Sequence, residues 1–304
     1  MSRRRSGRDI TGVLLVDKPA GPTSFEVVKR VERALQANRA RHTGTLDPMA
    51  TGLLVICLGA ATRLVPYLTA AQKSYRARVR LGVATDTYDA EGQVVRVDSP
   101  EAVAAVDLAA LEAVLPRFRG TIDQRPPAFS AIRVGGQRLH ELARAGEAVE
   151  APMRTVEIEV LSLVAADLPD FDIDVTCSKG TYIRSLAVDL AAALGLGGHL
   201  TQLRRTACVP FGVDDALTLA AIEADPAAAE ARLLSAADAL VVLPAIRLDA
   251  AAADDVRHGR RRAFPDAPSG PCRALDAAGR LVAIIEAAGA QPAAILRGFG
   301  PGAD

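Results

Sequence analysis

Residues 73–81 read Lys-Ser-Tyr-Arg-Ala-Arg-Val-Arg-Leu, so from Tyr75 onward apolar side chains alternate strictly with three arginines. Successive side chains of a β-strand point to opposite faces, and this pattern therefore predicts a strand with one buried and one solvent-facing side. A second alternating stretch has its apolar side chains on one face: Phe171, Ile173, Val175 and Cys177. Two half-buried strands of this kind indicate a fold built on a β-sheet.

Strands and helices are mixed on either side of this segment. Gly12 to Val16 and Leu53 to Leu58 are short apolar runs that predict strands. Thr23 lies three residues before Glu26, which is the spacing of a capping box, and predicts a helix from there to about Leu35. A second helix is expected from Thr181 to about Leu194. No regular βαβ period links these elements, which favours an α+β fold with a mixed, largely antiparallel sheet.

The composition excludes several classes of protein. Half of the 304 residues are hydrophobic, yet no apolar run reaches the roughly 18 residues that a membrane span requires. The basic N-terminus is followed by too short an apolar stretch for a secretory signal, so we expect a cytoplasmic protein. The four cysteines are scattered and the four histidines show no ligand spacing. We therefore expect reduced thiols, with neither a disulfide framework nor a metal site.

The charge is unevenly distributed although the net charge is zero. Residues 1–80 hold 15 Lys and Arg against 5 Asp and Glu, a balance of +10. Residues 211–256 have a balance of −7, and residues 257–304 one of +3. Two basic regions separated by an acidic one suit two contacts with a polyanion, although solvated charged faces would give the same pattern.

Residues 124–152 differ from their surroundings. They contain Pro126-Pro127, a Gly135-Gly136 hairpin signal and a short basic helix predicted from Arg138 to Arg144. We interpret this segment as an insertion that stands off the main sheet. The Ala-rich, acidic residues 214–244 predict helices, and a new strand pattern begins at Ala245. The sequence therefore predicts two domains, residues 1–244 and a small β-rich domain of residues 245–304.

The stretch most informative about function is residues 41–52, Arg-His-Thr-Gly-Thr-Leu-Asp-Pro-Met-Ala-Thr-Gly. An Asp-Pro pair in a loop usually serves turn geometry. Here the surrounding residues suggest more, because Gly44 to Gly52 resembles the catalytic motif of the TruB pseudouridine synthases. Further segments resemble the same family in the expected order: residues 15–21 (LVDKPAG), 73–75 (KSY), 124–131 (QRPPAFSA), 177–184 (CSKGTYIR) and 199–206 (HLTQLRRT). The resemblance covers about two-thirds of the chain.

The resemblance implies a reaction carried by one carboxylate, that of Asp47. Pseudouridine forms when the N1–C1′ bond breaks, the base turns over and C5 joins C1′, so no metal or other cofactor is expected. An ionised carboxylate beside the sugar can act as nucleophile or as electrostatic partner. Tyr75 would stack on the target base and offer its hydroxyl for proton transfer, and Arg184 would pair with Asp47 and keep it ionised. Without the resemblance, Tyr75 is equally consistent with a core residue and Arg184 with a surface charge.

The resemblance also implies a partner, the T-arm stem-loop of tRNA, with the uridine at position 55 as target. His42 would occupy the space of the flipped base, and Lys18 belongs to the motif that supports the catalytic loop. The further residues expected to bind substrate or RNA are Lys179, Tyr182, Leu203 and, in the insertion, Arg133. The insertion departs from the family in having Arg133 where a Lys is usual and His140 where a Tyr is usual.

By the same resemblance, the catalytic domain has the pseudouridine synthase fold, residues 124–152 form its thumb loop, and residues 245–304 form a PUA-like RNA-binding module. A structural cap is the alternative for that module. Two other functions remain open: a non-catalytic RNA-binding or tRNA-folding protein, and a guide-RNA-dependent synthase of the Cbf5 type. The insertion favours a stand-alone enzyme, because such an enzyme needs its own clamp for RNA. We expect a monomer.

Overall fold

The structure is a computed structural model that describes residues 7–130, 133–134, 137–139 and 151–300. Its strands are β1 (Gly12–Lys18), β2 (Ala40–His42), β3 (Thr51–Leu58), β4 (Lys73–Leu81), β5 (Val83–Thr85), β6 (Val94–Val97), β7 (Gly120–Gln124), β8 (Arg133–Val134), β9 (Gln137–Arg138), β10 (Arg154–Asp167), β11 (Asp170–Cys177), β12 (Gly198–Cys208), β13 (Phe211–Gly212), β14 (Leu217–Thr218), β15 (Ala245–Arg247), β16 (Gly270–Leu275), β17 (Leu281–Ala288) and β18 (Gln291–Gly298).

Its α-helices are α1 (Ser24–Ala34), α2 (Val65–Thr69), α3 (Pro100–Ala104), α4 (Leu108–Val114), α5 (Ile183–Ala193), α6 (Leu219–Ala224), α7 (Pro226–Ala231), α8 (Ala236–Ala239) and α9 (Ala250–Arg257). Short 3-10 turns cover Gly59–Leu64, Leu115–Phe118 and Val213–Asp215. Within the described residues, no helix is long and apolar enough to span a membrane.

The chain divides into two compact units. The first contains the residues up to Pro48, Gly52–Ala71 and the chain from Pro210 onward, and the second contains Met49–Thr51 and Gln72–Val209. In the first unit, β1 pairs antiparallel with β3 and parallel with the short β14, while β2 pairs with β3. The residues just before the Asp47 motif thus form a short strand.

Helix α1 covers one face of these strands. Thr23 and Glu26 form the predicted capping box, in which the hydroxyl of Thr23 accepts the N–H of Glu26 and the Glu26 carboxylate accepts the N–H of Thr23. Val27 and Val31 are fully buried and belong to one core with Leu14 of β1 and Ile56 of β3. Apolar residues at helical spacing therefore fix the face that α1 turns to the strands.

Residues 245–298 form a four-stranded sheet in the order β15-β16-β17-β18, in which only the β15–β16 pair is parallel. Its own core contains Val282, Ala283 and Ile285 of β17 together with Ala253 and Val256 of α9. This confirms the expectation of a small β-rich C-terminal module. The predicted helical character of residues 214–244 takes the form of three short helices, α6 to α8.

In the second unit the strand order is β12-β4-β11-β10-β7, with every neighbouring pair antiparallel. The apolar face of β11 is buried as predicted, at Phe171, Ile173, Val175 and Cys177. Helix α5 packs against β12 so closely that a side chain at Gly198 would collide with Ala191. Together with the parallel β1–β14 pair, this arrangement confirms the α+β fold with a mixed, largely antiparallel sheet.

The insertion is described only in part. Arg133 and Arg138 are paired across β8 and β9, so the two strands expected on either side of the Gly-Gly signal are present. Arg138 lies in that hairpin and not in the predicted basic helix. Leu139, the next residue of that predicted helix, is helical and buried. The remainder, from His140 onward, lies outside the described residues.

All four cysteines are free and buried. Burial raises the pKa of Cys57 to about 12 and that of Cys177 to about 11. Thiols with such pKa values are poor nucleophiles at neutral pH. In the part of the chain that the structure describes, no group of three or more His, Cys, Asp or Glu side chains is arranged to hold a metal ion.

The solvent-facing side of β4 carries three cross-strand ion pairs with β11, which we call the Arg–Asp ladder. Arg76 binds Asp174, Arg78 binds Asp172 and Arg80 binds Asp170, each through Nε and a terminal nitrogen to both carboxylate oxygens at 2.6–2.9 Å. Each pair joins residues that are opposite one another in the strand register. The three arginines are therefore already neutralised by the protein, and the balance of +10 overstates the charge available to a polyanion.

Other charges of the N-terminal region are also paired. Arg8 and Arg30 form ion pairs with Glu230 and Glu223 of the acidic segment. Among the described residues, no ion pair is found for the exposed side chains of Arg39 and Arg41. Arg39 immediately precedes β2 and Arg41 lies within it, so both come shortly before the Asp47 loop in the chain. The sequence regions of opposite charge thus meet in the fold, and the hypothesis of two separate basic contact regions loses much of its basis.

The Arg–Asp ladder generates a test of strand register. Arg78→Asp places two carboxylates opposite each other, and like charges across a strand pair are destabilising. We expect the variant to unfold at a lower urea concentration than the wild type. The double variant Arg78→Asp/Asp172→Arg restores an opposite-charge pair and should recover most of the loss. An unchanged urea midpoint in the single variant would show that the ladder does not stabilise the β4–β11 pairing.

Candidate active site

Ser24, the first residue of α1, holds the N-terminal side of the loop that carries Asp47. The Ser24 hydroxyl donates to the carbonyl of Leu46 at 2.9 Å and accepts the Leu46 N–H at 2.8 Å. Both Ser24 and Leu46 are buried. The capping box fixes where α1 begins, and that helix start in turn fixes the residue next to Asp47.

The C-terminal side of the same loop is held through the carbonyl of Pro48. It accepts the ammonium of Lys18 at 3.0 Å and the backbone N–H of Gly21 at 2.9 Å. Lys18 also donates to the carbonyl of Pro19 at 2.9 Å and has no exposed surface. Its burial favours support of the loop over direct contact with RNA. Asp47 itself is half-buried between the two anchors.

His42 ends β2 and lies opposite Ile56 of β3. Its side chain is half-buried, so it is not the simple exposed ring that a polar loop would give. The next residue, Thr43, is buried and its N–H donates to the carbonyl of Val55 at 3.0 Å. The chain therefore leaves the sheet at a defined point and runs from there to Asp47.

Tyr75 lies on the buried face of β4, between Val175 of β11 and Arg205 of β12. Its exposed fraction is 8%. Burial raises the pKa of the Tyr75 phenol to about 12, and the Arg205 guanidinium opposite it opposes that shift. Tyr75 is thus a neutral phenol at physiological pH.

Arg184 is in the first turn of α5 and is 5% exposed, so it is not a solvated surface charge. Its guanidinium donates to the carbonyl of Thr87 at 2.9 Å and to that of Phe129 at 3.0 Å. It also forms a buried ion pair with Asp89 at 3.4 Å. Arg184 therefore joins α5 to the loop after β5 and to the start of the insertion.

The loop after β5 is shaped around Asp89. Its carboxylate accepts the hydroxyl of Thr87 at 2.6 Å and the N–H of Glu91 at 3.1 Å. Tyr88 adopts a left-handed conformation with φ of 67°. These bonds turn Asp89 inward, where its other oxygen meets Arg184.

The start of α5 is fixed by Gln124, at the end of β7. The Gln124 side chain accepts the N–H of Tyr182 at 2.7 Å and donates to its carbonyl at 2.9 Å. Tyr182 is half-buried, whereas Lys179 is exposed on the turn that precedes it. Ser185, one turn further along, donates to the carbonyl of Arg125 at 2.7 Å.

The predicted site residues fall into two groups. Asp47, Lys18 and His42 belong to the first unit, and Lys18 is bonded directly to the Asp47 loop. The second unit contains Tyr75, Arg184, Tyr182, Lys179, Arg133 and Leu203. Leu203 is buried on β12, and its carbonyl accepts the hydroxyl of Thr51 at 3.5 Å. The predicted pair of Arg184 with Asp47 stays a prediction.

Four residues that position the site were missed from the sequence: Ser24, Asp89, Gln124 and Arg205. Ser24 follows the capping-box threonine, and Gln124 opens the insertion motif, so both had a sequence signal. Arg205 was within a recognised motif but could not be told from its neighbour Arg204. Nothing in the sequence around Asp89 separates it from a residue of an ordinary polar loop.

Comparison with known proteins agrees with this architecture. The family description "TruB family pseudouridylate synthase (N terminal domain)" matches residues 32–183. "tRNA pseudouridylate synthase B C-terminal domain" matches residues 184–244, and "tRNA Pseudouridine synthase II, C terminal" matches residues 243–296. A protein of Burkholderia mallei named tRNA pseudouridine synthase B is 46% identical over 93% of both chains. One of the same name from Chromohalobacter salexigens is 47% identical over 86% of this chain and 84% of its own.

Two solved structures share the fold. "Structure of H/ACA RNP bound to a substrate RNA containing 2'-deoxyuridine" matches with a TM-score of 0.73 and 25% identity, over 95% of this chain and 85% of that one. "Crystal Structure of a Cbf5-Nop10-Gar1 Complex" matches with a TM-score of 0.73 and 26% identity, over 95% and 84%. The fold and these matches define a pseudouridine synthase, which is an isomerase. Within that class, the chain belongs to the TruB family, as its motifs indicated.

The Ser24 anchor generates a prediction about the Asp47 loop. Ser24→Ala removes both bonds to Leu46 and leaves two buried backbone groups unsatisfied, at a cost of about 1–3 kcal/mol in the free energy of unfolding. We expect the loosened loop to lower kcat as well, when the variant and the wild type are compared at saturating substrate. Ser235→Ala is the matched control, because it removes a serine that caps α8. That control should lose stability without losing kcat, and equal kcat losses in both variants would contradict the anchoring role.

The buried Arg184–Asp89 pair generates a second prediction. Arg184→Ala leaves Asp89 charged and buried without its cation, so the free energy of unfolding should fall by about 3–5 kcal/mol in urea titrations. Arg184→Lys keeps the charge but cannot reproduce the two guanidinium bonds, and should rescue only part of the loss. Arg78→Ala removes an exposed arginine of the Arg–Asp ladder and is the control, with little change expected. Similar losses of unfolding free energy in Arg184→Ala and Arg78→Ala would show that the buried ion pair stabilises the protein no more than an exposed one.

Proposed function

We propose that this protein converts a uridine of tRNA to pseudouridine, and that the target is the T-loop uridine at position 55. The observation that carries the proposal is the Asp47 loop, whose flanking residues Leu46 and Pro48 are each held by hydrogen bonds from buried groups. A carboxylate fixed in this way can approach a sugar carbon in one defined orientation. The names of the relatives, tRNA pseudouridine synthase B, support tRNA as the substrate.

In this proposal Asp47 acts on C1′ of the target nucleotide. Its carboxylate is nucleophile or electrostatic partner while the N1–C1′ bond breaks. After the base has turned over, C5 joins C1′ and gives up its proton to a base or to water, and N1 takes up a proton in exchange. Direct attack on C1′ and a path through an eliminated glycal both use the same carboxylate. Tyr75 lies against the base, and Arg184 keeps Asp47 ionised.

We further propose that the uridine is flipped out of the T-loop, since an enzyme cannot reach C1′ and C5 within a stacked loop. His42 would fill the vacated space, and Tyr182 and Leu203 would line the base. Lys179 and Arg133, with the exposed Arg39 and Arg41, would contact phosphates. Lys18 would contribute by supporting the loop.

The domain assignment belongs to the same proposal. Residues 1–244 would form the catalytic domain, with residues 124–152 as a thumb loop that clamps the T-arm. Residues 245–304 would form a PUA-like module that adds RNA contacts. A monomer is sufficient for this function, and a tRNA substrate favours a cytoplasmic location.

The alternative functions are less well supported. The identity to the H/ACA RNP and Cbf5 complex structures is 25–26%, against 46% for the Burkholderia mallei protein named tRNA pseudouridine synthase B. A protein that only folded RNA would have no need of the doubly anchored Asp47 loop. Both alternatives are tested by assaying the isolated protein on a tRNA transcript without any guide RNA.

The proposal predicts that Asp47→Asn abolishes isomerisation and leaves tRNA binding nearly intact. Turnover is measured as tritium released from tRNA labelled at C5 of uridine, and binding by filter retention. Asp107→Asn is the matched control, because an asparagine still caps α4, and it should remain active. A transcript whose T-loop uridine is replaced by cytidine should release no tritium from that position.

Loss of binding together with activity in Asp47→Asn would mean that Asp47 serves RNA recognition and not the reaction. Turnover within about tenfold of the wild type would remove Asp47 from the mechanism, because the loss of an essential nucleophile costs far more. Activity that appears only with an added guide RNA would favour the guide-dependent alternative.

A further inference from the structure

The largest fully buried side chain of the described residues is that of Arg205 on β12. Its exposed fraction is 1%, and in the strand register it lies directly opposite Tyr75 of β4. The neighbouring Arg204 lies opposite Arg76 and is half-buried, with its guanidinium 3.5 Å from the hydroxyl of Thr51. The side chains of these two adjacent arginines thus lie on opposite faces of the sheet.

The contact between Arg205 and Tyr75 has a defined polarity. A guanidinium carries five N–H donors and no acceptor, so in a hydrogen bond between these two facing side chains the phenol oxygen must accept. The single hydrogen of the Tyr75 hydroxyl is then left to donate elsewhere. Arg205 is itself held in the buried face of a strand that is hydrogen-bonded to β4, so the direction of the phenol group is fixed by the sheet.

Two buried thiols lie near Tyr75, those of Cys177 on β11 and Cys208 on β12. Lys73, two residues before Tyr75 on the same face, is buried as well; burial lowers its pKa, and Arg205 and Lys179 lower it further. Arg205 lowers the pKa of the Tyr75 phenol, and burial, which raises it, has the larger effect.

We propose that Arg205 is a positioning residue for the isomerisation: by holding the Tyr75 oxygen as an acceptor, it makes the Tyr75 hydroxyl a hydrogen-bond donor to an oxygen of the bound uridine. This inference rests on the proposed function of Tyr75. Of the two roles open to the hydroxyl in proton transfer, donor and acceptor, it assigns that of donor. It also gives Arg205 a role that the motif alone could not distinguish from that of Arg204.

The first test is spectroscopic and needs no turnover. The protein has four tyrosines and no tryptophan, so tyrosine labelled with ¹³C at Cζ gives four signals, and Tyr75→Phe identifies the one of interest. Arg205→Lys should move the Tyr75 signal and leave the other three in place. Arg204→Lys, the matched control on the same strand, should leave all four in place. A Tyr75 signal that does not move in Arg205→Lys overturns the proposal, whether or not the enzyme is active.

The second test is kinetic. Arg205→Lys should lower kcat by about tenfold or more with KM changed less than about threefold, because the oriented hydroxyl acts in the reaction and not in binding. In a Tyr75→Phe background the same substitution should change kcat by less than about twofold, since both changes remove one interaction. Equal effects of Arg205→Lys in the two backgrounds would mean that Arg205 acts independently of Tyr75.

A third measurement uses the wild type and does not depend on how well Arg205→Lys folds. The pKa of Tyr75 is raised to about 12, so a donor hydroxyl stays protonated throughout the working pH range. The ratio of kcat between wild type and Tyr75→Phe should then be constant from about pH 6 to about pH 9. If Tyr75 acted as a base, its reactive phenolate and hence this ratio would rise about tenfold per pH unit below the pKa, and that result would overturn the donor role.

Discussion

Strand β4 is hydrogen-bonded on both edges, to β11 and to β12, and its two faces have opposite characters. A slip of one residue in either pairing would exchange those faces, moving Tyr75 to solvent and Arg76 into the core. The Arg–Asp ladder opposes such a slip on the solvent side, because each guanidinium can meet both oxygens of a carboxylate only in the observed register. Burial of Tyr75, and with it the whole arrangement around its phenol, depends on this pairing.

The Asp47 loop is likewise positioned by regular elements of the fold, but through side-chain hydrogen bonds and not through strand pairing. It has no regular structure of its own around Asp47, and it is positioned by groups that belong to well-formed elements: Ser24 at the start of α1 and Lys18 at the end of β1. Lys18 is fully buried, and a buried ammonium is tolerated where carbonyl oxygens accept its protons. A loop that is held on both sides in this way keeps a carboxylate in place without burying it fully.

Sequence patterns predicted those elements whose signal is local. The alternation of residues 73–81 gave β4 with its bounds, the capping box gave the start of α1, and the Gly-Gly signal gave the β8–β9 strand pair. The short strand β2 was missed because its three residues carry no pattern. The residues that surround the site, such as Asp89 and Arg205, could not be found by the same means, because the strand pairing that places Arg205 opposite Tyr75 joins segments about 130 residues apart. The motifs identified Asp47, Tyr75 and Arg184 through the resemblance to the family and not through local patterns.

Arginine has three different functions in this protein, and burial decides among them. Arg78 is exposed and bound to a carboxylate, so it contributes to register and little to charge. Arg184 is buried, and two backbone carbonyls share its guanidinium with Asp89, which ties three segments together. Arg205 is buried against a phenol, where it can only donate. The net charge of the sequence counts these three side chains alike, and for that reason the electrostatics of RNA binding must be argued from the arginines that the fold leaves exposed and without an ion pair among the described residues, such as Arg39 and Arg41.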